Sequence, residues 1–129
     1  PGLAEVDALA AEVAKAGARV EVRIEGTRPE LPLGFDLSAY RIVQEALTNT
    51  LKHAEASHAT VLVRYEAETL DVEVVDDGRG ATGDGAERGH GIIGMRERAA
   101  LVGGELEVGR AANGGFSIHA RIPLEELAP

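Results

Sequence analysis

Five short stretches of this chain place apolar side chains at every second position. Val20, Val22 and Ile24 do so between Arg19 and Glu25, and Val61, Val63 and Tyr65 do so between Thr60 and Tyr65. Leu70, Val72 and Val74 follow after a short turn, and the pattern returns near Leu106 to Arg110 and from Phe116 to Ile122. A period of two belongs to a strand with one dry face and one wet face. Strands buried on both faces in an all-parallel sheet would instead be continuously apolar. The expected fold is therefore α+β: a two-layer α/β sandwich in which a mixed, mostly antiparallel sheet of about five strands carries helices on one face.

The segments between the strands supply those helices. Leu3 to Ala16 is rich in Ala and Glu, and Gly17 follows where a helix end favours a left-handed residue. After a loop marked by Pro29 and Pro32, Asp36 or Ser38 is placed to cap a long helix running to about Ala54. From Gly78 to Gly94 there are seven glycines in seventeen residues, which reads as a mobile loop. Helical character returns from about Ile92 to Val102 and stops at Gly103 and Gly104, and Asn113-Gly114-Gly115 joins the last two strands. No repeat or linker divides the chain, so residues 1–129 are expected to form a single domain.

Composition narrows the function. With 13 Lys and Arg against 22 Asp and Glu, the net charge of −9 repels a polyphosphate backbone, so direct nucleic-acid binding is not expected. The absence of cysteine removes disulfides, thiolate metal sites and thiol nucleophiles. No apolar run approaches the ~20 residues that span a bilayer, so no membrane contact is expected of this segment. A cytoplasmic location fits, and a membrane anchor elsewhere in a longer parent stays open.

Three places carry chemistry. On the long helix, at 100° per residue, Tyr40, Val43, Leu47, Thr50 and Ala54 share one side, while Glu45, Asn49 and Lys52 share the other. Such residues form an ordinary solvated face, or they converge on one ligand as base, Mg²⁺ ligand and phosphate contact; magnesium takes oxygen ligands and keeps several waters, so one amide plus phosphate oxygens can hold it. Asp76 is in phase with Leu70, Val72 and Val74 and so points toward the core, where a carboxylate needs a partner. That partner is either a backbone amide of the protein or the amine of a ligand such as adenine, which the glycines of Asp76-Asp77-Gly78-Arg79-Gly80 would let approach. Gly89-His90-Gly91-Ile92-Ile93-Gly94 spells G-x-G-x-x-G, but Ala81 to Arg88 has no strand signal, which rules out a dinucleotide-binding βαβ unit. What remains is a set of backbone N–H groups near a helix start, suited to phosphate, or a plain surface loop.

Together the three resemble the nucleotide-site boxes of the superfamily that holds gyrase, the ninety-kilodalton heat-shock chaperones, histidine kinases and MutL. The run from Tyr40 to Ala54 resembles the N box of histidine kinases that pair with helix-turn-helix response regulators. Asp76 to Gly80 matches the first glycine box, Gly89 to Arg98 the second with its helix, and Gly114-Gly115-Phe116 through Pro123 the closing strand. The resemblance implies that Asn49 ligates Mg²⁺ and that Glu45 lies beside the γ-phosphate of ATP as catalytic base. It implies that Asp76 binds the adenine amine, that Gly78 and Gly80 shape the pocket, and that Lys52 and His53 lie near the phosphates. Gly89, His90, Gly91, Ile92 and Gly94 would belong to a lid over the nucleotide, Gly89 and Gly91 as backbone donors, with the lid unordered until nucleotide binds. Asp84 and Glu87 argue against a catalytic cation there, and Phe116 stands where many relatives have Thr.

The resemblance also implies partners: ATP, a histidine-bearing dimerisation domain of the same parent protein, and, indirectly, a response regulator. His53, His58, His90 and His119 are each followed by Ala or Gly, never by the acidic residue that follows an acceptor histidine in such kinases. The chain is thus expected to bind ATP without phosphorylating itself. A serine kinase of the anti-sigma-factor type and a non-catalytic nucleotide-sensing module are the competing readings, with a gyrase-like or MutL-like ATPase behind them. Gln44-Glu45 and Met95-Arg96-Glu97-Arg98 favour the histidine-kinase branch.

Overall fold

A computed structural model of the chain describes residues 2–53, 58–78, 85–112 and 115–124. A single 3₁₀ turn, Leu3–Glu5, leads into α1 (Val6–Lys15), which is followed by β1 (Arg19–Glu25) and α2 (Leu33–His53). Then come β2 (His58–Tyr65), β3 (Thr69–Asp76), α3 (Gly85–Leu101), β4 (Glu105–Arg110) and β5 (Phe116–Pro123). The strands form one sheet in the order β1-β2-β3-β5-β4. Only β1 and β2 are parallel, because α2 carries the chain back across the sheet between them; the other pairs are antiparallel.

The alternation in the sequence reappears as alternating burial. Val61, Val63, Val72, Val74, Ile118, Ala120 and Ile122 are buried on the face that meets Ile42, Val43 and Leu47 of α2 and Met95 and Ala99 of α3. The other face carries most of the charged side chains of the strands. One row runs Glu25, Arg64, Asp71, Arg121, Glu105 across all five strands in register, with signs alternating throughout. Asp71 is only 6% exposed. Its Oδ1 lies 2.8 Å from His119 Nε2 and accepts from Arg121 Nε at 3.2 Å, and its Oδ2 accepts from Thr69 Oγ1 at 3.2 Å. Burial alone would raise that carboxyl; the bonds from His119, Arg121 and Thr69 outweigh it and hold the group below the usual carboxylate range.

Two boundaries differ from expectation for physical reasons. The long helix begins at Leu33, so Asp36 lies within its first turn and does not cap it; the Pro32 carbonyl accepts from Phe35 and Asp36 N–H there. Asp36 works across the fold, its carboxylate accepting from Leu3 N at 2.9 Å and from Arg28 Nη2 at 2.8 Å, which ties the N-terminal turn and the proline loop to α2. The stretch read as loop as far as Gly94 is helical from Gly85. Ala86-Glu87-Arg88 are strong helix formers, and Met95 and Ala99, both fully buried, fix the helix from which that turn extends. The expected end of α2 at Ala54, the Asn113-Gly114 turn and the lid residues 79–84, with the expectation about lid order, lie outside the described residues.

Candidate functional site

β3 ends at Asp76, in the middle of the sheet, with α2 above it. The Asp76 side chain points inward as its phase requires and is 3% exposed. Its Oδ1 accepts from Gly78 N at 3.0 Å and from Phe116 N, on the adjoining β5, at 3.1 Å. Its Oδ2 faces Thr50 of α2, whose hydroxyl lies 3.3 Å away. The protein's own amides therefore fix one oxygen firmly, and among the described residues the other is held by one long contact. Gly78 is thereby placed directly beside the acid; Gly80 lies outside the described residues.

Glu45 and Asn49 sit one turn apart on α2, on the side read as solvated. The structure corrects that reading for Asn49, which is 4% exposed because α3 packs over it. Asn49 Nδ2 is the buried side-chain polar atom left without a hydrogen-bond partner among the described residues. An amide so placed carries a desolvation cost of about 1–3 kcal/mol unless a ligand partners it. The two ends of an amide have the same shape, so this group offers an N–H to a phosphate oxygen or, turned by 180°, a carbonyl oxygen to a metal ion. Among the described residues no group of three or more His, Cys, Asp or Glu side chains could form a protein cage for a metal. A hard cation held here would take the amide oxygen, water and the oxygens of its ligand, a coordination magnesium accepts.

Gly91 of α3 lies on these two residues. A β-carbon built on it would stand 2.9 Å from Glu45 Oε1, 2.9 Å from Asn49 Nδ2 and 3.2 Å from Asn49 Oδ1. The glycine thus lets two helices approach closely; it does not loosen a loop. Gly89 and Gly91 lie beyond the first four residues of α3, where amide N–H groups bond within the helix, so in this arrangement they are not the free donors expected. Ile92 is half-buried against the core, and Gly94 has open space where a side chain would be. Lys52 is exposed, one turn beyond Asn49; the side chains of His53 and His90 lie outside the described residues. Sequence reasoning missed Thr50, assigning it to the core side of α2. Its signal was available in hindsight, since that side faces the strand end where Asp76 is placed.

An inward acid at a central strand end, a helix bearing Glu and Asn one turn apart and a glycine-bearing helix laid on them, all on a mixed sheet with helices on one face, define an ATP-binding domain of the Bergerat type. Residues 36–126, more than half of the chain, match the family of histidine kinase-, DNA gyrase B- and HSP90-like ATPases, and the chain belongs to that family. It is 37% identical over 111 residues to the sensor histidine kinase YxjM of Bacillus subtilis, covering 85% of this chain and 27% of that protein. It is 33% identical over 109 residues to the signal transduction histidine-protein kinase/phosphatase DegS of Brevibacillus brevis, covering 84% and 28%. The chain therefore spans little more than a quarter of these relatives. Among solved structures, the histidine kinase domain of the Erythrobacter litoralis EL346 blue-light activated histidine kinase superposes with a TM-score of 0.69 at 26% identity, covering 95% of this chain and 61% of that one. The ATP binding domain of PrrB from Mycobacterium tuberculosis shares the fold, with a TM-score of 0.64 at 23% identity, over 91% of this chain and 89% of that one.

Proposed function

We propose that this domain binds Mg-ATP between α2, the end of β3 and α3, and donates the γ-phosphoryl group to a histidine on a separate dimerisation domain of its parent protein, from which a response regulator receives it. The observation that carries this reading is the meeting of Gly91 with Glu45 and the unpartnered amide of Asn49. Two sequence-distant helices, α2 and α3, converge there, and Thr50 of the same α2 meets Asp76 at the end of β3.

In this reading Asp76 accepts a hydrogen bond from the adenine amine through Oδ2, the oxygen that no backbone donor reaches among the described residues. Asn49 would hold Mg²⁺ through its amide oxygen, and the ion would supply charge neutralisation at the phosphates. Glu45 lies beside the γ-phosphate as base toward the incoming imidazole, and Lys52 and His53 lie along the phosphates. Gly89 and Gly91 donate to phosphate only when the first turns of α3 open, so nucleotide entry and lid rearrangement are one event. Phosphoryl transfer depends on in-line positioning and charge stabilisation more than on covalent chemistry by the protein, so the domain retains its binding site when separated from its acceptor. No histidine here is followed by an acidic residue, and the chain alone binds ATP without labelling itself. Among the described residues no helix is long and apolar enough to cross a membrane; the domain works on the cytoplasmic side, where ATP is available.

Calorimetry of ATP binding with and without magnesium, on the wild type and on Asn49→Ala, tests the assignment. The variant is expected to lose the part of the affinity that depends on magnesium. Equal affinities in the two proteins with magnesium present would remove Asn49 as the metal ligand.

A further inference from the structure

The Asp76 carboxylate is held asymmetrically. Both backbone donors, Gly78 N and Phe116 N, reach Oδ1, while among the described residues Oδ2 is met only by the Thr50 hydroxyl at 3.3 Å. Two bonds to one oxygen pin that atom but leave the carboxylate plane free to rock about it. The position of Oδ2, the atom that the nucleotide reading assigns to the ligand, is then set from α2. Thr50 is 1% exposed and fixed in orientation by the helix, with its Oγ1 also 3.1 Å from the Ala46 carbonyl one turn earlier.

We infer that Thr50 is a positioning residue for nucleobase choice: its hydroxyl aims Asp76 Oδ2 at the exocyclic amine of a 6-aminopurine. The inference rests on the nucleotide reading given above. A hydroxyl has one proton to give, and here two acceptors share it, with the shorter distance to Ala46 O. Oδ2 is thus steered without being saturated, and keeps lone-pair capacity for an incoming N–H. A buried acceptor with spare capacity rewards an amine and penalises a base that presents hydrogen or a carbonyl oxygen in its place, because that base leaves the carboxylate unpaired. A methyl group in place of the hydroxyl would fill the same space, lose the steering and leave the Oδ1 anchors intact.

The test compares ATP with purine riboside triphosphate, which lacks the 6-amino group, by calorimetry on the wild type, Thr50→Val and Thr50→Ser, with thermal midpoints to confirm folding. The wild type should prefer ATP. Loss of one hydrogen bond to a charged acceptor predicts that Thr50→Val lowers ATP affinity about fivefold while leaving the analogue unchanged, and that Thr50→Ser restores the preference. A folded Thr50→Val with the wild-type ratio, or one that loses both ligands equally, overturns the inference. If Thr50→Val does not fold, Thr50→Ser decides, since it must keep the preference and a wild-type-like fold together. A wild type that binds both ligands alike would overturn the adenine reading itself, and is distinguishable because it appears before any substitution is made.

Discussion

Gly91 of α3 rests against Asn49 of α2 so closely that a β-carbon on the glycine would stand 2.9 Å from the amide nitrogen, with Glu45 Oε1 at the same distance. Gly91→Ala therefore separates two effects. Helix propensity favours alanine by about 1 kcal/mol, and pushing aside a buried amide costs about 1–3 kcal/mol, so folding stability should fall by no more than about 2 kcal/mol. The nucleotide site should not escape if, as proposed, both displaced side chains belong to it. Roughly tenfold weaker Mg-ATP binding is expected by calorimetry, from about 1.4 kcal/mol of lost interaction. Undiminished affinity would mean that Gly91 is an ordinary helix contact.

The sheet was legible because a period of two survives any choice of neighbours: Val61, Val63, Val72 and Val74 are buried where the alternation places them. Asp76 was legible for the same reason, its phase along β3 being enough to turn it inward. The helix contacts were less so. Asn49 reads as exposed from α2 alone, and only the arrival of α3 buries it; nothing within α2 encodes that. The glycines between Gly85 and Gly94 suggest a loop because each costs a helix about 1 kcal/mol relative to alanine, yet Gly91 is needed where two helices nearly touch. Asp36 looked like a cap because helix starts favour that residue, but its partners, Leu3 and Arg28, come from elsewhere in the chain.

In the proposed reading Asp76 serves structure through Oδ1 and recognition through Oδ2, so two substitutions should divide the roles. Asp76→Ala leaves the N–H groups of Gly78 and Phe116 without their acceptor, and should destabilise the domain by about 2–4 kcal/mol in urea unfolding. Asp76→Asn keeps an acceptor for those amides and can place an N–H₂ toward the ligand. It should weaken ATP far more than GTP. Similar losses for the two nucleotides would show that Asp76 does not read the adenine amine.

Gly26 closes β1 with φ +85°, and a β-carbon there would run into the backbone carbonyl of Tyr65. Gly26→Ala combines a strained backbone with a clash that no side-chain rotation relieves, and should cost about 2–3 kcal/mol. The register places Tyr65 opposite Leu70, at the far end of β3 from Asp76. Once corrected for the unfolded fraction, nucleotide affinity should be unchanged. Reduced affinity in the fully folded variant would show that the two ends of the sheet are coupled.

Asp71 sets an acid limit on the fold. Its carboxyl is held below the ordinary value of 3.8 by His119, Arg121 and Thr69, against the opposing effect of burial. A folded-state pKa below the unfolded one contributes stability that is fully present above about pH 4 and is lost as pH falls through the lowered folded value. Arg121 is 65% exposed and adds little through its charge; the bond to His119 and the buried carboxylate matter more. Asp71→Asn should be less stable than the wild type by about 1–2 kcal/mol at neutral pH. The gap between the two should narrow on acidification below pH 4, since protonation removes from the wild type what the substitution has already removed. Urea midpoints measured at pH 7 and pH 3 check this, and a gap that persists or widens at pH 3 would assign the stabilising role to another group on the wet face.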